Sequence, residues 1–549
     1  MNVRSLNLTW TWLVLMAWAS FAHAQVDCNI RFTDVTQHSG IRFVHTHGGS
    51  EMGYIVEGMS TGIASFDYNG DGWIDIYFLN GAPLQGTSFD APARNALYRN
   101  NGDFTFTDVT EPAGVGDTGY GLGVAAADYD GDGDIDLYIN NFGANVLYRN
   151  NGDETFTDVT AEAGVENGSK VGAGVGFLDI EGDGDLDLYV ANYVDFTYEN
   201  HVPILINGKR YQAGPQYYKP VPDSLFRNEG NGKFVDISVE SGIASVAGPG
   251  MGLICADFDN DHDTDVYVCN DGEPNFLFMN DGHGVFEEVG LLVGVACDFS
   301  GKANSSMGVD LGDFDQDGLL DFMATSYQAE MPVLYRNLGD GLFEDATSSA
   351  RITQDLYPHV NWGIGFVDFD NDSDQDLFIA CGHFDRIEQI DDRTAQKIPN
   401  YVLMNQGGRF VNVSGNCGEL GKIVETSRGV AFDDFDNDGD VDAIVLNSNT
   451  TPTLLRNDSL GSNKWIQIEL QQEGLNSLGI GSRVWVKSGN KTQVTEVLAG
   501  RGYQSHYGSR LSFGLGNFDG PVEVEVRWPD GTQQVGQFET NQRILIKKQ

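Results

Sequence analysis

Acidic residues at a fixed spacing are the chemistry-bearing feature of this sequence. One nonapeptide recurs seven times: DYNGDGWID from Asp67, DYDGDGDID from Asp128, DIEGDGDLD from Asp179, DFDNDHDTD from Asp257, DFDQDGLLD from Asp313, DFDNDSDQD from Asp368 and DFDNDGDVD from Asp434. Oxygen-bearing side chains stand at positions one, three, five and nine. These are Asp67, Asn69, Asp71 and Asp75 in the first loop, Asp128, Asp130, Asp132 and Asp136 in the second, and Asp179, Glu181, Asp183 and Asp187 in the third. The fourth loop has Asp257, Asp259, Asp261 and Asp265, and the fifth Asp313, Asp315, Asp317 and Asp321. The sixth has Asp368, Asp370, Asp372 and Asp376, and the seventh Asp434, Asp436, Asp438 and Asp442. All are candidate metal ligands, because a hard cation such as Ca²⁺ takes roughly 6–8 oxygens and a short loop can supply them. Position seven is Asp in five loops but Trp73 and Leu319 in the others, so a backbone carbonyl is the expected ligand there. Position six is Gly in five, suiting a tight turn or positive φ, with His262 and Ser373 as exceptions.

Competing readings of these loops fail. An EF-hand needs Glu at position twelve and a following helix. Position twelve is Phe78, Ile139, Val190, Val268, Ala324, Ile379 and Val445, all apolar and in strand-like runs. The dockerin-type loop, which also ends there, falls with it. Asp and Gly favour plain turns, but a turn does not require acids at positions one, three, five and nine together. Without a cation those carboxylates repel one another. The expected cofactor is Ca²⁺, up to seven ions per chain. An all-oxygen ligand set and a calcium-rich exterior favour it over Mg²⁺.

The elements that must position these loops also repeat. A Gly stands five residues before each loop: Gly62, Gly123, Gly174, Gly252, Gly308, Gly363 and Gly429. A second segment of the type LYRN follows each loop, ending at Asn100, Asn150, Asn228, Asn280, Asn337, Asn405 and Asn457. A third segment like FTDVT follows the first six, at Phe106, Phe156, Phe234, Phe286, Phe343 and Phe410, but not the seventh. The missing copy stands near the N-terminus, from Phe32 to Thr36, ahead of any acidic loop. A closed ring accounts for this, since the first strand then completes the last blade and no sheet edge stays open. Alternation such as Ile135–Ile139 reads as strand. The predicted fold is all-β: a seven-bladed β-propeller over residues 26–460, closed by the N-terminal strand, plus a small C-terminal all-β domain over 461–549.

The ends differ from the repeats. Arg4, an apolar stretch from Trp10 to Phe21 and Ala22-His23-Ala24 read as a signal peptide over residues 1–24, with the mature chain starting at Gln25. The loops and their preceding glycines resemble FG-GAP/VCBS repeats, as in the integrin α-subunit propeller, and Gly81-Ala82-Pro83 echoes the GAP element. That resemblance implies Ca²⁺ in the hairpin between the first two strands of a blade, held by positions one, three, five and nine. From Gly461 the acidic loops stop. Asn476–Val484, Gly500–Ser505, Phe513–Gly516 and Val524–Gly531 resemble the ASPIC/UnbV domain. Together the two resemble the cartilage acidic protein family, in a bacterial-type form. Strands are expected near Trp465–Leu470, Val484–Val486, Thr495–Val497 and Val522–Trp528. Arg501, Tyr503 and Arg527 are either a binding patch or residues that hold this domain together, the second being the stronger expectation.

Composition limits the function. The 549 residues carry 32 bases and 80 acids, a formal charge of −48. Such a field repels phosphates, so nucleic acid is not an expected partner. No segment after the leader approaches the roughly 18 apolar residues of a membrane span, so membrane insertion is not expected. Cys28, Cys255, Cys269, Cys297, Cys381 and Cys417 contain no CxxC pair, which argues against zinc ribbons, and Cys255–Cys269 is the first disulfide to test. His45-Thr46-His47 lacks a third metal ligand. The insertion Tyr193–Pro222 is rich in Tyr, and packing on the propeller is favoured over recognition. No G-x-S-x-G, H-E-x-x-H or Walker motif is present. The expectation is a secreted, extracellular protein, periplasmic in a Gram-negative bacterium, and monomeric. It would bind an extracellular protein or glycan as an adhesion or recognition module without catalysis. The alternative is an exported lyase or hydrolase with a site on the propeller face. A cluster of His, Tyr and carboxylates converging there would favour it.

Overall fold

The computed structural model describes residues 28–49, 53–87, 93–384 and 386–549, so the leader expected over 1–24 lies outside the described residues. Seven four-stranded antiparallel units follow one another. The first consists of Ile63–Phe66, Asp75–Phe78, Ala96–Asn100 and Phe106–Asp108. The acidic nonapeptide turns the chain from first to second strand, LYRN is the third strand and FTD the fourth. The other units begin at Tyr120–Ala127, Lys170–Leu178, Gly250–Ala256, Ser306–Gly312, Asn361–Val367 and Ser427–Asp433. Unit seven takes its fourth strand from the other end of the chain. Phe32–Asp34 pairs antiparallel with Thr453–Asn457, in the register Phe32↔Asn457, Thr33↔Arg456 and Asp34↔Leu455. Units two and three also join, where Lys170 and Val171 pair with Gly143 and Phe142.

The recurring Gly explains how the first strands sit around the axis. A Cβ on Gly123 would lie 2.0 Å from the Ala173 carbonyl oxygen, and one on Gly308 2.5 Å from that of Trp362. On Gly363 it would lie 2.6 Å from the Arg428 oxygen. In each case the obstacle is the first strand of the next unit. The cycle closes because Gly429 of unit seven would place its Cβ 2.9 Å from the Thr61 oxygen of unit one. Only glycine lets neighbouring backbones approach this closely.

The first and second strands are buried on both faces, because a neighbouring unit covers each side, while fourth strands such as Phe106–Asp108 are largely exposed. Asp187–Asn192 and Asp265–Asn270 are buried at every residue. The alternation seen around Ile135–Ile139 therefore does not become an exposed face: Asp136, Leu137, Tyr138 and Ile139 are all buried. No two of the six cysteines are joined by a disulfide in this structure. Cys255 lies opposite Val266 while Gly250 lies opposite Asn270, so Cys255 and Cys269 do not face each other, contrary to the pairing expected first.

The C-terminal region forms two sheets. One orders Leu511–Gly516, Lys464–Gln471 and Gln542–Lys547, the last pair parallel. The other orders Lys491–Glu496, Arg483–Ser488, Val522–Arg527 and Gln533–Phe538. Between them, residues 499–507 leave the domain and enter the centre of the ring. Their backbone bonds to four different units. The amides of Ser65, Val124, Phe177 and Val309 donate to the carbonyls of His506, Gln504, Ala499 and Gly502 at 3.0, 3.2, 2.9 and 3.0 Å. Tyr503 reaches farthest, with its hydroxyl donating to the Met59 carbonyl at 2.9 Å and its ring 5.1 Å from Trp362. Arg501 pairs with buried Asp310 at 2.6 Å. Arg501, Tyr503 and Arg527 are all buried, so they form no exposed patch. Arg501 and Tyr503 do not hold their own domain together either; they plug the axis of the ring.

Candidate metal centres and an axial cavity

Each acidic loop is a hairpin turn with two left-handed residues. Position six has φ of 85° at Gly72 and 101° at Gly439, and His262 and Ser373 take the same conformation at 87° and 83°. Position four is left-handed too, from Gly131 at 75° to Gln316 at 59° and Asn371 at 56°. This explains why that position holds Gly or Asn in six of the seven loops, residues that tolerate positive φ.

Five loops gather the carboxylates of positions one, three and nine. The groups are Asp128, Asp130 and Asp136; Asp257, Asp259 and Asp265; Asp313, Asp315 and Asp321; Asp368, Asp370 and Asp376; and Asp434, Asp436 and Asp442. Within each, one oxygen per residue lies within 4.8 Å of the others. In the first loop Asn69 brings an amide in place of the third carboxylate. In the third, Glu181 stands between Asp179 and Asp187, with Arg227 at 3.9 Å. The fifth-position acids lie outside these groups. Asp71, Asp132, Asp183, Asp261, Asp317 and Asp438 are exposed and Asp372 is half-buried. Their oxygens accept the position-seven amide, as at Trp73 onto Asp71 and Asp134 onto Asp132, at 2.9 and 3.0 Å.

Buried oxygens without a partner test the fit of a cation. Asp130, Asp315, Asp370 and Asp436 each bury Oδ1 with no hydrogen bond, as Glu181 does Oε2. All five are position-three residues. Burial, followed by the neighbouring carboxylates, pushes Glu181 and Asp436 up to about 7 and Asp370 to about 6. The position-nine acids of all seven loops are raised well above the carboxylate range, again chiefly by burial. Converging, desolvated, unpaired carboxylate oxygens are what a hard divalent cation satisfies. These groups can hold metal ions.

Two features went unread in the sequence. The Asn that ends each LYRN segment is a latch. Its amide donates to the position-nine carboxylate of its own unit, as Asn100 onto Asp75 at 2.7 Å. Its side chain then donates to position two of the preceding unit's loop: Asn150 to the Tyr68 carbonyl and Asn280 to that of Ile180, both at 2.8 Å. Asn100 closes the cycle onto Phe435 of unit seven at 2.8 Å. The only available signal was that this Asn never varies among the repeats. The second feature is that the C-terminal domain sits on the loops. Arg527 donates to Asp257 Oδ2 at 2.6 Å, Gln467 to Asp434 Oδ2 at 2.8 Å and Lys491 to Asp374 Oδ1 at 3.2 Å.

A cavity of about 390 Å³ lies over the plug, with Met59, Met251, Met307, Tyr327 and Trp362 among its walls. Asp271 also lines it and accepts the Tyr193 hydroxyl at 2.6 Å. An adjoining chamber of about 230 Å³ is lined by Glu57, Arg210, Arg386, Arg428 and His383. The insertion roofs both through Tyr211 and Gln212. Its hairpin, Ile204–Ile206 with Lys209–Tyr211, follows a packed aromatic group in which Phe196 lies 5.7 Å from Tyr54. Arg428 is fully buried and lies 4.1 Å over the Trp362 ring. His383 is held near 3 by burial and Arg428; its Nδ1 accepts the Phe384 amide at 2.7 Å and its Nε2 meets Gln328 at 3.0 Å. His45 is likewise engaged at both nitrogens, by Ser60 and the Asn449 amide, so it is no metal ligand with His47.

Comparison with known proteins fits this geometry. Residues 67–139, 128–190, 257–324 and 313–379 match the FG-GAP-like repeat, and residues 472–549 match ASPIC and UnbV. The chain carries FG-GAP-like repeats and an ASPIC/UnbV domain. It is homologous to cartilage acidic protein 1, with 27% identity over 394 residues of the Xenopus tropicalis protein and 26% over 370 of the Homo sapiens one. Those alignments cover 68% and 66% of this chain but 54% and 50% of the relatives, so the chain spans about half the length of the curated relatives it matches. Among solved structures, a lectin from Agrocybe aegerita that recognises non-reducing terminal N-acetylglucosamine aligns at TM-score 0.36 and 17% identity, over 66% of this chain and 82% of that one. A Bacillus licheniformis rhamnogalacturonan lyase aligns at 0.37 and 11%, over 78% and 75%. Among the described residues of the FG-GAP and ASPIC/UnbV regions, no helix is long and apolar enough to cross a membrane.

Proposed function

We propose that this is an exported, calcium-binding recognition protein that takes its ligand at the axial cavity and does no chemistry on it. Its layout would be a leader over 1–24, FG-GAP repeats over 26–460 and the ASPIC/UnbV domain over 461–549. Ca²⁺ would occupy the acidic loops and hold the hairpins against their own charge. The observation that carries this reading is the asymmetry of the two faces. The loop face is covered by the C-terminal domain and the axis is plugged from that side, leaving a cavity on the other. Aromatic and Met walls beside Arg210, Arg386 and Arg428 suit an extracellular glycan or peptide with an apolar face and an acidic group. His383 has both ring nitrogens engaged and is held neutral, which supports binding over catalysis. Homology to cartilage acidic protein 1 supports an extracellular setting.

A combined glycan and peptide array, probed with the Ca²⁺-loaded protein and with Tyr327→Ala and Arg386→Ala variants, tests this. Binding that weakens about tenfold or more in either variant supports the site. Binding unaffected by both would place recognition elsewhere. One observation favours a second reading, an exported lyase or hydrolase: burial raises the Asp271 carboxyl to about 6 beside the Tyr193 hydroxyl, a value suited to proton transfer. Release of reducing or unsaturated ends from a polysaccharide panel, lost in Asp271→Asn, would establish that reading instead.

A further inference from the structure

Two thiols meet where the closing strand joins the ring. Cys28 precedes the closing strand Phe32–Asp34. Cys417 lies between the fourth strand of unit six, Phe410–Asn412, and the first strand of unit seven, Ser427–Asp433. Their sulfurs are 3.5 Å apart although 389 positions separate them in sequence. No other two of the six cysteine sulfurs share such a contact. The backbone around the pair is already fixed. The Phe32 amide donates to the Cys417 carbonyl at 3.3 Å, and the Glu419 amide donates to the Phe32 carbonyl at 2.8 Å. Cys417 is fully buried among the core of units six, seven and one, and Cys28 is half-buried at its edge.

We propose that Cys28 and Cys417 form a disulfide that fastens the closing strand to the ring. A disulfide needs sulfurs at about 2.0 Å and Cβ atoms about 3.8 Å apart. The two sulfurs are already in contact at 3.5 Å, so only a short further approach separates them from a bond. The oxidant is a disulfide donor, such as a dithiol–disulfide oxidoreductase or oxidised glutathione. Cys28 is the accessible partner, and the hydrogen bond from Cys417 lowers its pKa, which favours the attacking thiolate. The Cys28 thiolate attacks one donor sulfur, forming a mixed disulfide and releasing the first donor thiolate. The Cys417 thiolate then attacks the Cys28 sulfur and expels the second. Two protons leave the protein thiols, one S–S bond forms, and the donor disulfide is reduced to two thiols. The bond would close a circuit of nearly four hundred residues, and long circuits are those in which a cross-link most restricts the unfolded chain.

The test uses the full chain, purified with all six thiols reduced, folded, and then exposed to oxidised glutathione. Alkylation should find two thiols lost. Digestion without reductant should yield one cross-linked species containing the Cys28 and Cys417 peptides, lighter than their sum by two hydrogens. The oxidised protein should melt a few degrees higher than the reduced one. Cys28→Ser should abolish both the cross-link and the difference in melting, and Cys255→Ser should abolish neither. Cys28→Ser keeps the test sound even if Cys417→Ser, at a buried position, fails to fold. Six alkylatable thiols after oxidation, a glutathione adduct that stops at Cys28, or a cross-link between other cysteines would each overturn the proposal. None of these readouts depends on whether the chain is exported, so the two readings fail separately.

Discussion

At the scale of single residues, the informative atoms are carboxylate oxygens that have been desolvated and given no partner. Asp436 illustrates this, with Oδ1 buried and unbonded beside Asp434 and Asp442. Asp436→Asn should therefore act in opposite directions under two conditions. With Ca²⁺ present it should lower the bound stoichiometry by about one ion. In excess chelator it should melt no lower than the parent, since it removes one of several repelling charges. A lower midpoint in chelator with unchanged stoichiometry would mean that Asp436 is structural. The same acids set a pH dependence. Their folded pKa values lie above the unfolded values, near 3.8 for Asp and 4.5 for Glu, reaching about 7 at Glu181 and Asp436. The folded state then binds more protons than the unfolded one between those values, so in chelator stability falls as pH rises from about 4 through about 7. Thermal melts at pH 5 and 8 should show this slope in chelator and lose it in Ca²⁺; a midpoint that rises with pH in chelator would contradict it. Asn280 provides a third case. Its side chain ties the Ile180 and Thr264 carbonyls and accepts the Gly284 amide. Asn280→Ala should cost about 3 kcal/mol in urea unfolding, while Asn101→Ala, exposed and locally bonded, should stay within about 0.5 kcal/mol. Equal losses would remove the latch.

At the scale of elements, much was legible because it is written seven times. Position nine of the loop, the LYRN strand and the displaced FTD strand could be read by alignment of the chain with itself. The N-terminal strand then followed by subtraction, and Phe32 does pair with Asn457. What repetition could not convey is why a residue repeats. The Gly before each loop reads as a spacer until Gly123 is seen against the Ala173 carbonyl. Gly123→Ala should cost more than about 3 kcal/mol, whereas Gly415→Ala, with nothing within 4 Å of the new Cβ, should be nearly neutral; denaturant unfolding separates the two. Position five shows the opposite limit. Its Asp stands in all seven loops, more constant than position three, yet it is exposed in six of them, because sequence periodicity does not report burial. The plug was illegible for a simpler reason. Gly500–Tyr507 occurs once, and its partners, such as Val124 and Val309, are apolar strand residues whose free amides leave no trace in composition.

At the scale of the whole molecule, the charge of −48 changes meaning. The seven loops hold 32 of the 80 acids, three in the first, four in the fifth and five in each other. Seven Ca²⁺ would bring the formal charge to −34. If such ions occupy the loops and bind only the native state, chelation should lower the thermal midpoint by tens of degrees, as mass action at several sites requires. An unchanged midpoint in excess chelator would contradict a structural role for the ions. The plug makes a parallel prediction. A chain ending at residue 460 leaves the amides of Ser65, Val124, Phe177 and Val309 without their acceptors, so it should lose its cooperative melt even in Ca²⁺. A sharp, full-height transition in that truncation would show that the ring stands alone.

The pairing of Phe32–Asp34 with Thr453–Asn457 also sets a timetable. Asp34 is made early, but its partner Leu455 emerges some 421 positions later. At about 5–20 residues per second, that is a delay on the order of 20–80 s, during which the first strand has no ladder to join. The axial carbonyls of residues 499–507 appear later still. A prematurely terminated product therefore lacks both the seal and the bolt, and its inner amides stay exposed to proteases and chaperones. The order in which the pieces arrive thus makes the closed ring a receipt for synthesis carried through residue 507.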